Sequence, residues 1–387
     1  MTGEEIKEPE EQQQQEPPPP QPQAQPQQPK EESKEPAPEV SYKAVVLTGA
    51  GGYDKVKVEV RKGVPVLKAG EILVRVHACG LNFTDLLVRQ GVISKHTCLG
   101  TECAGVVEAL GDDVTDRKVG DKVIVLNLDG GLWAELVATT VTRTFLMPEG
   151  MSFQDAAALS INYLVAYMMI YDFANLRPNQ KILIHMAAGG VGIAATQLCK
   201  LVKDVTIFGT ASASKHETIK ENGVSHPIDY NTLDYAEEVR KIAPKGVDIV
   251  LDPLGGADNT KGFGLLKPLG KLVLYGSSNI LTAPKRSTLA AAKIWWHKLT
   301  IDAFQLINSN KAVCGFQLKN ADPDQIADVF GKLISLYSEG KIKPKVDSVW
   351  SFEQIGDAMR HMQEHKNIGK ILLVPEVKTT DATATEN

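Results

Sequence analysis

At 387 residues the chain is long enough for two domains of ordinary size and a tail. Its 47 acidic and 42 basic residues give a net charge of -5, which lacks the basic excess of a nucleic-acid binder, so no nucleic-acid partner is expected. Five cysteines, Cys79, Cys98, Cys103, Cys199 and Cys314, are an odd number with no CxxC pair, which points to a reduced, cytoplasmic compartment. The first residues carry no apolar core of a secretion signal.

Residues 1–41 are rich in Gln, Pro and Glu and almost free of branched apolar side chains. They cannot bury enough surface to offset the entropy of ordering, and are expected to form a disordered tail. From Tyr42 short strands follow one another: Tyr42–Thr48, Gly70–Gly80, Ala104–Gly111 and Asp121–Asn127, separated by Gly, Asp and Asn. This predicts a β-rich first domain over 42–161. The run Ala156–Tyr171 is apolar but only 16 residues long and contains Ser160 and Asn162. A spanning helix needs about 20 apolar residues, so the run is expected to be a buried helix joining two domains, with peripheral membrane contact left open.

Strands and helices then alternate over 162–307. Strands are predicted at Lys181–Ile184, Val205–Ala211, His226–Tyr230, Val247–Asp252 and Lys271–Gly276, with helices over 214–222 and 234–243. The fold class is α/β, a doubly wound parallel sheet beside the β-rich domain. Residues 308–375, with helices at 326–339 and 352–365 and strands at 346–350 and 369–374, are expected to return to the first domain, and 376–387 to be a flexible end.

The dominant motif is KILIHMAAGGVG. A buried strand runs into Ala187, Gly189, Gly190, Val191 and Gly192, which open a helix. This is the dinucleotide fingerprint with Ala at the first glycine position: small residues let a pyrophosphate approach bare N–H groups at a helix N-terminus. NAD sites usually carry an acid about 20 residues further on. Here Thr210 stands 21 residues past Gly189, followed by Ser212 and Lys215, with no carboxylate before Glu217. Hydroxyls and a lysine favour a 2′-phosphate, so the expected cofactor is NADPH. Three smaller features are read as structural: Trp295 and Trp296 as core, His185 as packed, and Asp252 as a turn cap before Pro253.

GLNFTDLLVRQG (80–91) and GTECAGVV (100–107) complete a pattern over about 42–375 that resembles the medium-chain dehydrogenase/reductase superfamily. The resemblance implies a GroES-like catalytic domain beside a Rossmann domain. Where its zinc enzymes carry a cysteine and a histidine ligand, this chain has Asn82 and Thr101, and the lobe of four close cysteines is missing. Amide and hydroxyl are poor zinc ligands, so no metal site is expected. The zinc-free pattern is similar to the quinone oxidoreductase subfamily. That resemblance implies that Asn82 lies beside nicotinamide and substrate, that Lys215 and Tyr230 meet the 2′-phosphate, and that Gly276 and Asn279 border the nicotinamide. It implies the same cofactor-facing role for Phe316, in Cys314-Gly315-Phe316, and for Lys370 with Asn367. HMAAGGVG, FGTASASKHE, GVDIVLDPLGG and AVCGF are closer still to a vesicle-membrane branch of the subfamily. That likeness implies peripheral contact with synaptic vesicle or mitochondrial outer membranes, and family analogy implies a homodimer. Two departures bear on chemistry: Leu87 replaces a tyrosine common in the subfamily, and the 91–100 link is short and lacks prolines.

The expected function is an NADPH-dependent, zinc-independent reductase of a quinone or enone, with the final proton coming from water. The alternative is an NADPH-binding regulatory or scaffold protein of membrane traffic or mitochondrial dynamics, with little turnover. An ATPase is the third reading, but every GK pair is followed by Leu or Ile, so no GxxxxGK[ST] exists.

Overall fold

A computed structural model of the chain describes residues 2–3, 40–93 and 99–375. The expected disordered tail, apart from its last residues, the expected flexible end beyond 375 and the centre of the short 91–100 link lie outside the described residues.

The first half is β-rich. β1 (Ser41–Leu47) and β2 (Val56–Lys62) pair antiparallel as a ribbon. β3 (Glu71–Leu81), β4 (Glu102–Leu110), β5 (Lys122–Leu126), β6 (Leu136–Thr140) and β7 (Thr144–Leu146) build most of a seven-stranded sheet, with α1 (Phe83–Arg89) leaving the end of β3. β3 alternates in its first half and is buried on both sides from Ala78 to Leu81, because there it passes under the rest of the chain.

α2 (Phe153–Tyr167) runs on through a π turn at Met168–Phe173. Ser152 caps its start by accepting from Asp155 N. Together the 21 residues are long and apolar enough to cross a membrane by length and composition, but 67% of the most apolar window is buried inside the protein. Leu159, Leu164 and Met169 share one core with Ile124 of the first sheet and Ile184 of the second, so the helix is the common wall of both halves.

The parallel sheet has the order β10-β9-β8-β11-β12-β13. Its strands and helices alternate: β8 (Lys181–Ile184), α3 (Gly190–Cys199), β9 (Thr206–Ala211), α4 (His216–Asn222), β10 (His226–Asp229), α5 (Tyr235–Ile242), β11 (Val247–Asp252), α6 (Ala257–Leu265) and β12 (Leu266–Leu274). α7 (Thr288–Trp296) and α8 (Ala303–Ser309) then lead to β13 (Ala312–Gly315), which pairs with β12. The parallel sheet therefore draws a strand from beyond residue 307, and the return to the first sheet comes later than the sequence suggested. After α9 (Pro323–Ser338), β14 (Val346–Ser351) and α10 (Ile355–Gln363), β15 (Lys370–Val374) joins the first sheet beside β3.

Trp295 and Trp296 are not core residues: they are 66% and 77% exposed. α7 is a short peripheral helix whose inward face is taken by Ala290 and Ile294, so the indoles have nothing to pack under. His185 is buried as expected, and Asp252 caps its turn through Leu254 N at 2.7 Å.

Candidate functional site

A cavity of about 620 Å³ opens at the carboxyl ends of the parallel strands, where doubly wound sheets bind ligands. His185 follows β8, Thr210 ends β9, Tyr230 follows β10 and Leu254 follows β11; all line it, with Asn279 and the segment carrying His365 and Asn367 on the other side. The glycine turn forms its floor. Gly189 is the N-cap of α3 and lines the cavity. A Cβ on Gly192 would stand 2.4 Å from Met186 O, which is why the chain can turn so tightly only with glycine there. Gly190 faces the amide of Asn162, and Val191 continues the first helical turn behind the wall. Ala187 is fully buried rather than exposed to the cavity. The space for its methyl exists because Gly209 opposite has none: a Cβ there would lie 2.9 Å from that of Ala187.

Thr210 Oγ1 accepts from Met186 N at 3.2 Å and lies 3.1 Å from His185 Nδ1. Ser212 and Lys215 line the same wall, and the chain from Thr210 to His216 carries no carboxylate, while Asp234 and Asp258 also line the cavity. Burial lowers the pKa of Lys215. Its ammonium donates to His365 O and, at 2.8 Å, to Asn367 O, which leaves one of its three N–H groups without an acceptor among the described residues. Asn279 Nδ2 donates to Asp258 Oδ2 at 3.0 Å and Gly255 O at 3.2 Å.

Away from the glycine turn, the expected residues Gly276, Phe316 and Lys370 are not among those that line this cavity. Gly276 packs against Pro253, where a Cβ would meet Pro253 O at 2.9 Å. Phe316 is buried edge-on against Phe173. Lys370 belongs to a second polar group, built around Asn82 and separated from the cavity by the glycine turn.

That group is buried. Asn82 caps α1 in a reciprocal box with Asp85, whose Oδ2 accepts from Asn82 N at 2.8 Å. Asp85 Oδ1 accepts from Gly100 N at 3.0 Å. Burial raises the Asp85 pKa to about 6, with those two amides opposing it. Asn82 Oδ1 accepts from Lys370 Nζ at 2.7 Å, and Asn82 Nδ2 donates to Glu102 Oε1 at 2.9 Å and Thr101 Oγ1 at 3.3 Å. Lys370 also pairs directly with Glu102, and both side chains are almost wholly buried. The other Glu102 oxygen accepts from Ile161 N at 2.7 Å, tying the group to α2. Gly80 makes room: a Cβ there would fall 1.9 Å from Glu102 Oε1. Glu102 and Asp85 were missed in the sequence; a lone carboxylate at the head of the apolar run Glu102-Cys103-Ala104-Gly105-Val106-Val107 was the available signal.

The group meets the glycine turn directly. Gly369 N donates to Ala188 O at 2.8 Å, one residue before Lys370. Zinc does not fit it: an amide and a hydroxyl stand where ligands would be, the Glu102 carboxylate is engaged by an ammonium, and burial raises the pKa of the nearby Cys79 and Cys103 thiols. Among the described residues no cluster of three or more His, Cys, Asp or Glu is arranged to hold a metal.

A β-rich domain and a dinucleotide-type parallel sheet joined by one buried helix define the architecture of the medium-chain dehydrogenase/reductases. Residues 68–149 match the alcohol dehydrogenase GroES-like domain family and residues 222–373 the zinc-binding dehydrogenase family. Synaptic vesicle membrane protein VAT-1 of Tetronarce californica is 76% identical over 96% of this chain and 94% of its own. The crystal structure of human synaptic vesicle membrane protein VAT-1 homolog-like protein superposes with a TM-score of 0.75 at 41% identity, covering 88% of this chain and 99% of that one. A Pseudomonas syringae quinone oxidoreductase gives a TM-score of 0.75 at 25% identity, covering 86% and 100%. The chain belongs to the VAT-1 family within the medium-chain dehydrogenase/reductases.

Proposed function

We propose that this protein is an NADPH-dependent, zinc-independent reductase of quinones or conjugated carbonyls. The observation that carries the reading is the cavity wall after β9: Thr210, Ser212 and Lys215, with Tyr230 also lining the cavity and no acid in the segment from Thr210 to His216. The segment after β9 offers the ribose hydroxyls of NADH no carboxylate of its own, whereas a 2′-phosphate finds hydroxyls and a lysine there. Gly189 and the first turn of α3 would receive the pyrophosphate. Bound nicotinamide supplies hydride chemistry. The protein's part is to orient the acceptor against it, to exclude water and to hold charge still around Asn82. An acceptor that gains a hydride gains two electrons and needs one further proton, taken from water. Quinones and enones tolerate that route because the oxygen they leave charged is stabilised by conjugation.

The family and the buried state of α2 support peripheral contact with vesicle or mitochondrial outer membranes rather than insertion of that helix. The open edge of β13 suits a homodimer. A second reading, a nucleotide-binding scaffold with little turnover, is favoured by Leu87, which packs against the core of the first domain and offers no proton donor where a tyrosine would.

Fluorescence titration with NADPH and NADH tests the cofactor, and NADPH oxidation with a panel of quinones and enones tests the reaction. NADPH is expected to bind the tighter. Binding without oxidation across the panel overturns the reductase and selects the scaffold; equal affinity for NADH overturns the cofactor assignment.

A further inference from the structure

We infer that the group that hydrogen-bonds the acceptor oxygen is the hydroxyl of Thr101, with Asn82, Glu102 and Lys370 as its positioning residues. The inference rests on the reductase reading and names the residue of that site which touches substrate.

An amide has two N–H hydrogens, and those of Asn82 go to Glu102 Oε1 and Thr101 Oγ1, while its carbonyl oxygen accepts from Lys370. No hydrogen of Asn82 is left for a ligand. Glu102 only accepts, and its two oxygens are engaged by Lys370, Asn82 and Ile161 N. Thr101 differs. Its Oγ1 accepts from Asn82, yet its own hydrogen has no acceptor among the described residues. The side chain is half-buried, unlike the enclosed carboxylate beside it.

Its backbone is fixed on both sides. Thr101 O accepts from Asn127 N at 3.0 Å, and Gly100 N is held by Asp85. The hydroxyl oxygen is thus pinned by Asn82 while its hydrogen can still rotate toward a ligand; the third N–H of Lys370 also has no acceptor among the described residues, but that side chain is only 3% exposed. The ammonium of Lys370 stands behind Asn82 and polarises the amide toward Thr101. A preorganised donor of this kind stabilises the negative charge that grows on an acceptor oxygen as hydride arrives. No proton need be transferred from Thr101; water completes the product.

Thr101→Val keeps the shape and removes the hydroxyl; Thr101→Ser keeps the hydroxyl. With NADPH and the best acceptor of the panel, the valine variant is expected to lose about 100- to 1000-fold in kcat, as for other single oxyanion donors. NADPH affinity should stay unchanged, and the serine variant should restore most of the rate. A valine variant as fast as the parent overturns the inference. A second readout does not need turnover: the infrared carbonyl stretch of 13C-labelled cyclohexanone added to NADP⁺-loaded protein. A downshifted band in the parent that is lost in the valine variant supports Thr101. An unshifted band, or no bound ketone, overturns it. If the parent oxidises no NADPH with any acceptor, the reductase reading fails on that result, and the infrared result still decides Thr101.

Discussion

The nucleotide cavity and the Asn82 group are contiguous, yet they are built on opposite principles. The cavity is polar, open at a sheet edge and lined by groups with hydrogen-bonding capacity in reserve: one N–H of Lys215 and the amides at the start of α3. The Asn82 group is closed. Its ammonium, carboxylate and amide engage one another, and the half-buried Thr101 keeps a hydrogen that has no acceptor among the described residues. The first arrangement suits a site whose ligand completes it. The second suits a fixed electrostatic background, because every charge is held before a substrate arrives. The proposed function divides binding and chemistry between these two networks, which are joined by the short Ala188–Gly369 contact.

The largest way to break this contrast is to unbalance the closed network. Glu102→Leu leaves Lys370 buried and unpaired, and is expected to cost about 3–5 kcal/mol in chemical denaturation. Adding Lys370→Met should recover most of that loss, since replacing both buried charges by apolar groups is close to neutral. If the double variant is no more stable than the single one, the pair is not the unit argued here.

Asp85 sharpens the contrast through pH. Its carboxyl is raised from an ordinary 3.8 to about 6 by burial. Between those values the folded protein holds a proton that the unfolded chain has released. The native state binds more protons, so stability falls as pH rises through about 4 to 6. The whole effect is about 3 kcal/mol for a shift of about two pH units. Denaturation of parent and Asp85→Asn across this range checks it: the variant should lack that slope. A parallel pair of curves would show that Asp85 ionises normally in the fold.

On the cavity side the effect belongs in affinity, not stability. Lys215→Ala should weaken NADPH by about 1.5–3 kcal/mol, roughly 10- to 150-fold, and leave NADH almost untouched. Equal weakening of both would mean that the lysine acts by holding the His365–Asn367 segment through its carbonyl contacts, rather than by meeting a 2′-phosphate.

The cavity was largely legible in the sequence because its parts are local: strand, glycine turn and helix are contiguous, and Thr210, Ser212, Lys215 and Tyr230 sit at strand ends that periodicity marks. The closed network was not. Asn82 caps α1 just after β3, while Glu102 and Lys370 open β4 and β15, and nothing local says that Lys370 lies within reach of Asn82, 288 residues earlier in the chain. Resemblance brought Lys370 into view as a cofactor-facing residue; antiparallel pairing of β15 with β3 sets its amine in the buried group with Asn82 and Glu102. Phe316 and Gly276 are likewise outside the lining of the described cavity.

The tryptophans make the same point at the smallest scale. Ile294, Trp295, Trp296 and Leu299 have the spacing of a buried stripe, but spacing identifies a face without saying whether anything covers it. Trp133 shows the covered case: it is 1% exposed and its indole N–H donates to Gly80 O at 3.0 Å. Trp133→Ala should cost about 3–5 kcal/mol, as expected for a large side chain removed from a core. Trp295→Ser and Trp296→Ser each remove an indole that is mostly in solvent, so denaturation at low protein concentration should move by no more than about 0.5 kcal/mol. A loss of several kcal/mol in that measurement would mean that α7 is packed in solution and that its indoles belong to the core after all.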